Sequence, residues 1–347
     1  MENLRDVRQL SRKELQQWLE EKGEKSFRAA QIDNWLWKKN AGSFQEMANL
    51  PNSLRTLLEQ YFSIHKLSIS ELQRSSDGTL KLAFRLHDGN LVEGVLIPSG
   101  ERMTACISSQ VGCSLTCKFC ATGFMDRKRN LDAAEIYDQA VAIAGLAQSE
   151  YQLPLTNIVM MGMGEPLLNY ANVLEGIRRI CDPDGMGWSP KRITLSTAGI
   201  AKMIRKLADD EVKFNLALSL HAADDAKRNQ IMPINESNSL SALREAIRYF
   251  YQKTRNQVTF EYIAFGSFNE GPEDADKLAR FTKSTGAPVK INILEYNPVE
   301  GADFIRAVPE RLDAFRQRLE KENLIVNIRR SRGRDIDAAC GQLAIRK

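Results

Sequence analysis

The stretch "ACISSQVGCSLTCKFCATG", residues 105–123, opens the part of the chain that decides its fold and its chemistry. It begins within a short apolar run, "TACISS", and continues into a loop where Cys113, Cys117 and Cys120 follow the spacing C-x3-C-x2-C. A fourth cysteine, Cys106, stands seven residues ahead of this triplet. We therefore expect a strand that leads into a loop carrying three thiols.

The same order of elements recurs after this stretch. Short apolar runs alternate with helical candidates such as 132–147, 170–181 and 309–321, which is typical of a parallel sheet covered by helices. Six units precede a last run, "LIVNIR", and their strands are "TACISS", "NIVMMG", "RITLST", "FNLALSL", "VTFEYIAF" and "VKINILEY". Because a closed barrel needs eight units, we predict an α/β fold with a partial (βα)6 barrel. A doubly wound open sheet is the alternative.

Polar or glycine-rich segments lie at or directly after several of these strands. They are "GMGEP", "STAG", "SLHA" and "EYNP". The carboxyl ends of parallel strands form the active face of such folds. We therefore expect these four segments and the cysteine loop to surround one pocket.

The chain ahead of the cysteine stretch has a different pattern. The first ~65 residues indicate short helices, because capping-box pairs such as Ser11 with Glu14 mark helix starts. The runs "TLKLAFRL" and "LVEGVLIP" flank "HDGN" and predict a β-hairpin. We predict an N-terminal helical accessory domain over residues 1–75, a linking hairpin over 76–100 and a catalytic barrel domain over 101–347.

Composition places the chain among ordinary globular proteins, with 43% hydrophobic and 27% charged residues. The start is charged from its second residue and lacks the apolar segment of a secretory signal. The longest clean apolar run, residues 140–147, is too short to span a bilayer. We expect a cytoplasmic protein without a membrane partner. In that reducing compartment, clustered cysteines indicate metal binding or catalysis before disulfides.

Three close thiols leave two kinds of metal site open. Structural zinc needs four ligands, and the chain has only three histidines, His65, His87 and His221. A zinc site would have to recruit Cys106, Cys181 or Cys340 singly. A [4Fe–4S] cluster normally takes four thiolates, so three leave one iron free for another ligand, such as S-adenosylmethionine (SAM).

These motifs carry a family resemblance. The cysteine triplet together with "GMGEP" is similar to the signature of radical-SAM enzymes. With "SLHA", "MPIN", "YNP" and "DIDAACGQL", the chain resembles the radical-SAM methyltransferases that methylate C2 of adenine in 23S ribosomal RNA and tRNA. The resemblance covers residues 80–345 and includes, more loosely, the N-terminal helical module.

The resemblance implies cofactors and the residues that hold them. It implies one [4Fe–4S] cluster on Cys113, Cys117 and Cys120. SAM would be bound by Gly164, Glu165, Ser196, Ser219, Leu220, His221 and Asn297.

It also implies roles for two distant thiols. Cys340 would receive a methyl group from one SAM, and a radical made from a second SAM would activate that methyl group for addition to the base. Cys106 would then attack Cys340, release the product and leave a disulfide, with Glu93 as proton acceptor. Adenine C2 is electron-poor and does not attack a sulfonium methyl as an amine would, so a radical route has a physical reason. Without the resemblance, Cys340 and Cys106 have the plain reading of small buried hydrophobes.

The implied partners are 23S ribosomal RNA, tRNA and an electron donor such as a flavodoxin-type protein, and we expect a monomer. Net charge is only +4, but four basic runs stand near the motifs and fit a polyanionic substrate. We expect these runs and the helical accessory domain to grip phosphates. The runs are residues 127–129, 178–179, 191–192 and 329–334.

Other functions remain open at this stage. The sister activity would methylate adenine C8, although Pro166 after Glu165 favours C2 by the resemblance. A radical-SAM enzyme with another substrate is a second alternative. A zinc-stabilised RNA-binding protein without catalysis is the alternative from a different class.

Overall fold

In a computed structural model, which describes residues 4–345, ten strands form one mixed sheet and four more form two short ribbons. The strands, in chain order, are β1 (Arg5–Asp6), β2 (Phe62–Ser63), β3 (Ser68–Arg74), β4 (Leu80–Arg85), β5 (Leu91–Ser99), β6 (Arg102–Cys106), β7 (Gln110–Val111), β8 (Arg129–Asn130), β9 (Asn157–Met160), β10 (Ile193–Thr197), β11 (Asn215–Ser219), β12 (Val258–Ala264), β13 (Val289–Glu295) and β14 (Ile325–Arg329).

The parallel part of the sheet follows the chain without a reversal. Its order is β6-β9-β10-β11-β12-β13-β14, and every neighbouring pair is parallel. A doubly wound sheet would reverse its strand order at a switch point, so this order is that of an open barrel. The predicted partial (βα)6 barrel with a seventh run is confirmed.

Helices follow the strands of the parallel part, as predicted. The sequence predicts helices over 170–181 and 309–321, and the structure has both helices with these bounds. None of the helices among residues 4–345 is long and apolar enough to cross a membrane. The helices are α1 (Arg12–Glu21), α2 (Arg28–Asp33), α3 (Asn52–Tyr61), α4 (Ala133–Tyr151), α5 (Tyr170–Cys181), α6 (Ala201–Asp209), α7 (Asp225–Ile231), α8 (Leu240–Thr254), α9 (Pro272–Ser284) and α10 (Pro309–Lys321).

The predicted hairpin is present as β4 and β5, and it continues the main sheet. Strands β3 to β6 form an antiparallel meander, and β6 then pairs with β9 in parallel. The two hairpin strands therefore extend the same sheet that carries the barrel strands. The division at residues 75 and 100 stays a prediction.

A buried ion-pair network joins the N-terminal segment to α4. The Arg8 guanidinium lies 3.1 Å from Asp6 and 2.9 Å from Asp138, and its side chain is fully buried. Lys66 adds a second cation 3.0 Å from Asp138. Because Asp138 belongs to α4, these pairs fix the N-terminal helices against the barrel.

Replacing Arg8 by Met tests this anchor. The change leaves the buried Asp6 carboxylate without its cation, so we expect the free energy of unfolding to fall by about 3–5 kcal/mol, measured by guanidinium chloride denaturation. Arg12→Met is the matched control, because Arg12 is half exposed and 3.8 Å from Asp33. Its loss should stay below about 1 kcal/mol. Equal losses for the two variants would contradict the anchoring role.

Candidate active site

The carboxyl ends of the barrel strands open onto a cavity of about 220 Å³. Each polar segment predicted to follow a strand contributes to its wall, although "EYNP" does so only through its first residue, Glu295. Most of the predicted site residues line it: Cys106, Cys113, Cys117, Cys120, Gly164, Glu165, Ser196, Ser219, His221 and Cys340. Glu93, Leu220 and Asn297 are not among the lining residues that the structure describes.

The cysteine loop is held in a tight backbone turn. The Cys120 N–H donates to the Cys117 carbonyl at 3.2 Å, and the Gly123 N–H donates to the Cys120 carbonyl at 2.8 Å. A Cβ on Gly123 would lie 2.6 Å from the Cys117 carbonyl oxygen, so the turn requires glycine. Burial raises the pKa of the Cys113 thiol to about 11. Burial and the neighbouring thiols also raise the pKa of Cys117.

The three thiols of the cysteine loop form a donor set that suits an iron–sulfur cluster. Within residues 4–345, no three His, Cys, Asp or Glu side chains are close enough together to hold one metal ion. The three thiols nevertheless line one cavity and are free. In an iron–sulfur cluster each thiolate binds a different iron, so the ligands need not converge on one point. The donor set therefore suits a [4Fe–4S] cluster.

The motif "GMGEP" is locked to "CISSQ" of the cysteine stretch. Gly164 has φ +94°, and a Cβ there would lie 2.5 Å from the Gln110 side chain. The Gln110 Oε1 atom accepts a hydrogen bond from the Glu165 N–H at 2.9 Å. Ser108 Oγ accepts another from the Met163 N–H at 2.8 Å. The two motifs therefore form one rigid floor of the cavity.

Glu165 is a buried carboxylate in a fixed position. Its Oε1 accepts from the Leu167 N–H at 3.1 Å, and its Oε2 accepts from the Ala198 N–H at 2.7 Å. Burial raises the pKa of Glu165, and these N–H donors oppose that rise. The carboxylate is thus placed to bind a cationic group such as an ammonium.

His221 is a neutral, oriented imidazole. Its backbone is left-handed at φ +55°, and its Nδ1 accepts a hydrogen bond from the Ile263 N–H at 3.0 Å. Burial and, to a smaller extent, the nearby Arg228 lower the pKa of His221 to about 3. With Nδ1 acting as acceptor, the neutral ring carries its hydrogen on Nε2 as a donor.

Arg228 is a structural residue of the site that the sequence analysis missed. Its fully buried guanidinium donates to carbonyls that end β10 and β11, namely Ala198 at 2.5 Å and Leu220 at 3.0 Å. Asn235 of the "MPIN" motif accepts a further bond at 2.7 Å. The only sequence signal was that motif, whose Asn holds an arginine seven residues earlier. Arg228 therefore fixes the strand ends that carry Ser219 and His221.

The two isolated cysteines meet at the cavity. Cys106 ends β6, and Cys340 lies far along the chain in the C-terminal segment; both line the cavity as free thiols. Cys340 is exposed, and it borders the cavity. Burial raises the pKa of Cys106 to about 12 and that of Cys340 to about 11. The Cys340 thiol also raises the pKa of Cys106, and Arg329 lowers the pKa of both thiols.

Glu93 and Asn297 lie beside the cavity rather than in its wall. Glu93 is buried, 2.9 Å from the Lys81 ammonium, and its Oε2 has no hydrogen-bond partner. Burial raises the pKa of Glu93, while Lys81 and the Ala344 N–H lower it. Asn297 donates to the Cys340 carbonyl at 3.3 Å and so orients the segment that carries this thiol.

Two further charged residues line the same cavity as Cys340. Glu261 of β12 is buried, and its charge raises the pKa of Cys340. Arg329 of β14 lies 3.5 Å from Glu261. Burial raises the pKa of Glu261, and Arg329 lowers it. A glutamate inside the apolar run "VTFEYIAF" was the available signal, and the sequence analysis did not single it out.

The four basic runs are not equivalent in the structure. Arg329, Arg330 and Arg332 line the cavity, and residues 127–128 are exposed beside the cysteine loop. Arg178 and Arg179 are instead bound to Glu175, Asp182 and Asp33. Residues 191–192 precede β10, so they lie at the amino end of the barrel, away from the cavity. The expectation that all four runs flank the site is therefore wrong for 191–192, because a run before a strand lies at its opposite end.

Known families match both parts of the chain. Residues 107–281 match the Radical SAM superfamily, and residues 3–64 match the ribosomal RNA large subunit methyltransferase N-terminal domain. The first match contains the cysteine triplet, "GMGEP" and His221.

Whole-length relatives agree with these matches. A probable dual-specificity RNA methyltransferase RlmN of Cytophaga hutchinsonii is 60% identical over 98% of this chain and 93% of its own length. A dual-specificity RNA methyltransferase RlmN of an Anaeromyxobacter species is 42% identical over 98% of this chain and 90% of its own. The crystal structure of a radical SAM methyltransferase from Sphaerobacter thermophilus superposes with a TM-score of 0.90 at 38% identity, covering 98% and 99% of the two chains.

The low pKa of His221 predicts an acid-sensitive fold. Between pH 6.5 and 3 the unfolded chain binds a proton on this ring that the folded chain does not bind, so stability falls as pH falls. We expect the free energy of unfolding to drop by about 2 kcal/mol more in the wild type than in His221→Asn between pH 7.5 and 5. Asn keeps a δ-position acceptor and tolerates the left-handed backbone.

The measurement is denaturant unfolding of both proteins at each pH. Between pH 7.5 and 8.5 the two should show the same pH dependence, because the ring is neutral in both states. Parallel curves down to pH 5 would contradict the buried neutral imidazole.

Proposed function

The chain belongs to the RlmN family of dual-specificity RNA methyltransferases within the Radical SAM superfamily, and we propose that it methylates C2 of an adenine in 23S ribosomal RNA and in tRNA. It uses SAM and one [4Fe–4S] cluster. The observation that carries the proposal is one cavity lined by the three loop thiols and by both Cys106 and Cys340.

We assign the cofactors to residues that fit them. Cys113, Cys117 and Cys120 hold the cluster through thiolates. Glu165 binds the ammonium end of SAM, and the lining residues Gly164, Ser196, Ser219 and His221 bind the rest of it. Leu220 and Asn297, beside the cavity, complete the set that the family resemblance implies. When bound, these groups supply a methyl group and a carbon-centred radical.

The chain's own thiols transfer the methyl carbon. Cys340 Sγ holds this carbon as a thioether while it is joined to C2 of the base. Cys106 Sγ then attacks Cys340 Sγ and forms a disulfide as the sulfur–carbon bond breaks. The carbon keeps that electron pair and takes a proton to become the methyl group. Cellular thiols reduce the disulfide before the next turnover. Two observations support this relay. The two thiols line one cavity, and the positive charge of Arg329 lowers the pKa of both.

Glu93 takes the proton that C2 loses. Its free Oε2 and its burial support a proton-accepting role, because a raised pKa suits proton transfer. The Lys81 ammonium, 2.9 Å away, opposes the rise in the pKa of Glu93. The Ala344 N–H links Glu93 to the segment that follows Cys340.

RNA approaches the mouth of the cavity. Arg330 and Arg332 have side chains 69% and 43% exposed there, which suits contacts with phosphates. The N-terminal helical region over residues 1–75 supplies further contacts. The target adenine must be unpaired or extruded, since C2 is buried in a stacked pair. The proposal includes a monomer in the cytoplasm that takes electrons from a flavodoxin-type protein.

The choice of C2 over C8 rests on Pro166, which follows Glu165 in "GMGEP". Pro166 is buried and begins the short helical turn 166–169. Glu165 caps this turn, because its side chain accepts a hydrogen bond from the Leu167 N–H. A different residue at this position would alter the loop that holds the Glu165 carboxylate. The C8 activity is tested together with C2 below.

The test is the variant Cys340→Ala, with Cys181→Ala as its matched control. Cys181 is also a free thiol, but it ends α5 outside the cavity lining. We incubate each cluster-loaded protein with unmodified 23S rRNA fragments and labelled SAM, and analyse nucleosides by mass spectrometry. Wild type and Cys181→Ala should form 2-methyladenosine, and Cys340→Ala should form none, because it lacks the sulfur that carries the methyl carbon.

Other results would overturn the proposal in distinct ways. Only 8-methyladenosine would refute C2, and undiminished product from Cys340→Ala would refute the thiol relay. One zinc per chain, with no brown SAM-responsive cluster after anaerobic reconstitution with iron and sulfide, would refute the enzyme altogether.

A further inference from the structure

A carboxylate and a guanidinium stand side by side in the cavity wall with bonding capacity left over. Glu261 Oε1 accepts hydrogen bonds from Asn292 Nδ2 at 2.7 Å and Thr259 Oγ1 at 3.3 Å. Glu261 Oε2 is buried without a hydrogen-bond partner and lies 3.5 Å from Arg329 Nη1. A buried acceptor without a partner is costly, so such an atom points to a ligand donor.

Arg329 supplies the matching donor. Its side chain is 44% exposed and lines the cavity from the edge strand β14. A guanidinium has five N–H donors in a fixed plane, and Glu261 engages it only at ion-pair distance. The pair therefore presents an acceptor and a donor next to each other towards the same space.

That space adjoins the methyl-carrying thiol. Cys340, Glu261 and Arg329 all line the same cavity, and so does Cys106. On the neighbouring strand, Ser219 stands directly opposite Glu261. A base that meets the carbon on Cys340 would therefore meet this pair.

Adenine carries the complementary pattern on the edge that contains C2. Its Watson–Crick edge presents the N6 amino donor and the N1 acceptor side by side, and C2 is bonded to N1. Enzymes that act on extruded bases read this edge by hydrogen bonds. We propose that Glu261 Oε2 accepts from adenine N6 and that Arg329 donates to N1, which directs C2 towards Cys340. This inference rests on the proposed function and deepens it to base selection.

The same pair rejects guanine. Guanine presents an oxygen acceptor at position 6 and an N–H donor at N1, so each group would face its like. It also carries an amino group on C2. Buried polar groups left unpaired are what give such sites their strong discrimination.

Glu261→Gln converts the acceptor into a donor with little change of shape. Asn292 Nδ2 needs an acceptor, so the Gln oxygen stays at the Oε1 position. The Gln amide nitrogen then takes the place of Oε2 and opposes the N6 amino group of adenine. A purine base without N6 avoids this conflict.

The experiment compares two RNAs in one reaction. One is the 23S rRNA fragment in which nucleoside analysis locates the methylated adenosine, and the other has purine riboside at that position. The full, cluster-loaded chain methylates both in competition, and mass spectrometry gives the ratio of their kcat/KM values. We expect Glu261→Gln to lower the adenine-to-purine ratio by about tenfold or more relative to wild type. Intrinsic reactivity of the two bases cancels in this comparison.

One further variant is the control, and another tests the donor of the pair. Glu295→Gln makes the same change at another carboxylate of the cavity, whose oxygens already bind Arg330, Arg334 and the Ser331 N–H, so it should keep the wild-type ratio. Arg329→Met, on an exposed edge, removes the N1 donor. It should lower kcat/KM for both RNAs by a similar factor, since both bases keep N1.

The outcomes separate this inference from the proposed function. A wild-type ratio in Glu261→Gln, or unchanged kcat/KM in Arg329→Met, overturns the base-reading pair while methylation itself stands. No methylation of either RNA by the wild type refutes the proposed function, and with it the substrate of this pair.

Discussion

The cavity depends on the register of the parallel strands. Ser219, Glu261, Asn292 and Asn327 stand opposite one another on four neighbouring strands, β11 to β14. Pairing in register puts all four on one side of the sheet at the same height, because side chains alternate between faces along a strand. A slip by one residue would turn them to the other face. The register of the strands therefore decides which polar side chains share this face of the sheet.

Buried charge is tolerated here because backbone groups and counter-charges satisfy it. Arg228 binds carbonyl oxygens left free at the strand ends, and Glu165 binds N–H groups. Each uses backbone atoms that a parallel sheet leaves unpaired where it stops. These bonds tie the ends of β10 and β11 together, so residues that follow those strands are rigid without belonging to a strand. The active face gains its order from the polar groups that would otherwise destabilise it.

The C-terminal segment closes the site because it is tied at several points. Glu295 binds the arginines after β14, and Asp335 accepts a bond from Ser75 of the meander at 2.5 Å. Beyond Cys340, the Gly341 carbonyl accepts from the Ala121 N–H of the cysteine loop at 2.7 Å. These contacts place Cys340 over the cavity, opposite the end of β6 that carries Cys106.

The sequence alone determined what depends on local periodicity and spacing: the strand and helix order, the bounds 170–181 and the three thiols of the cysteine loop. Motifs also gave most of the cavity lining, since polar residues after parallel strands must meet at one edge. Only the tertiary structure decided that Glu261 and Arg329 adjoin and that Arg228 is buried. Those facts depend on contacts between distant segments, and no local pattern in the sequence indicates such contacts.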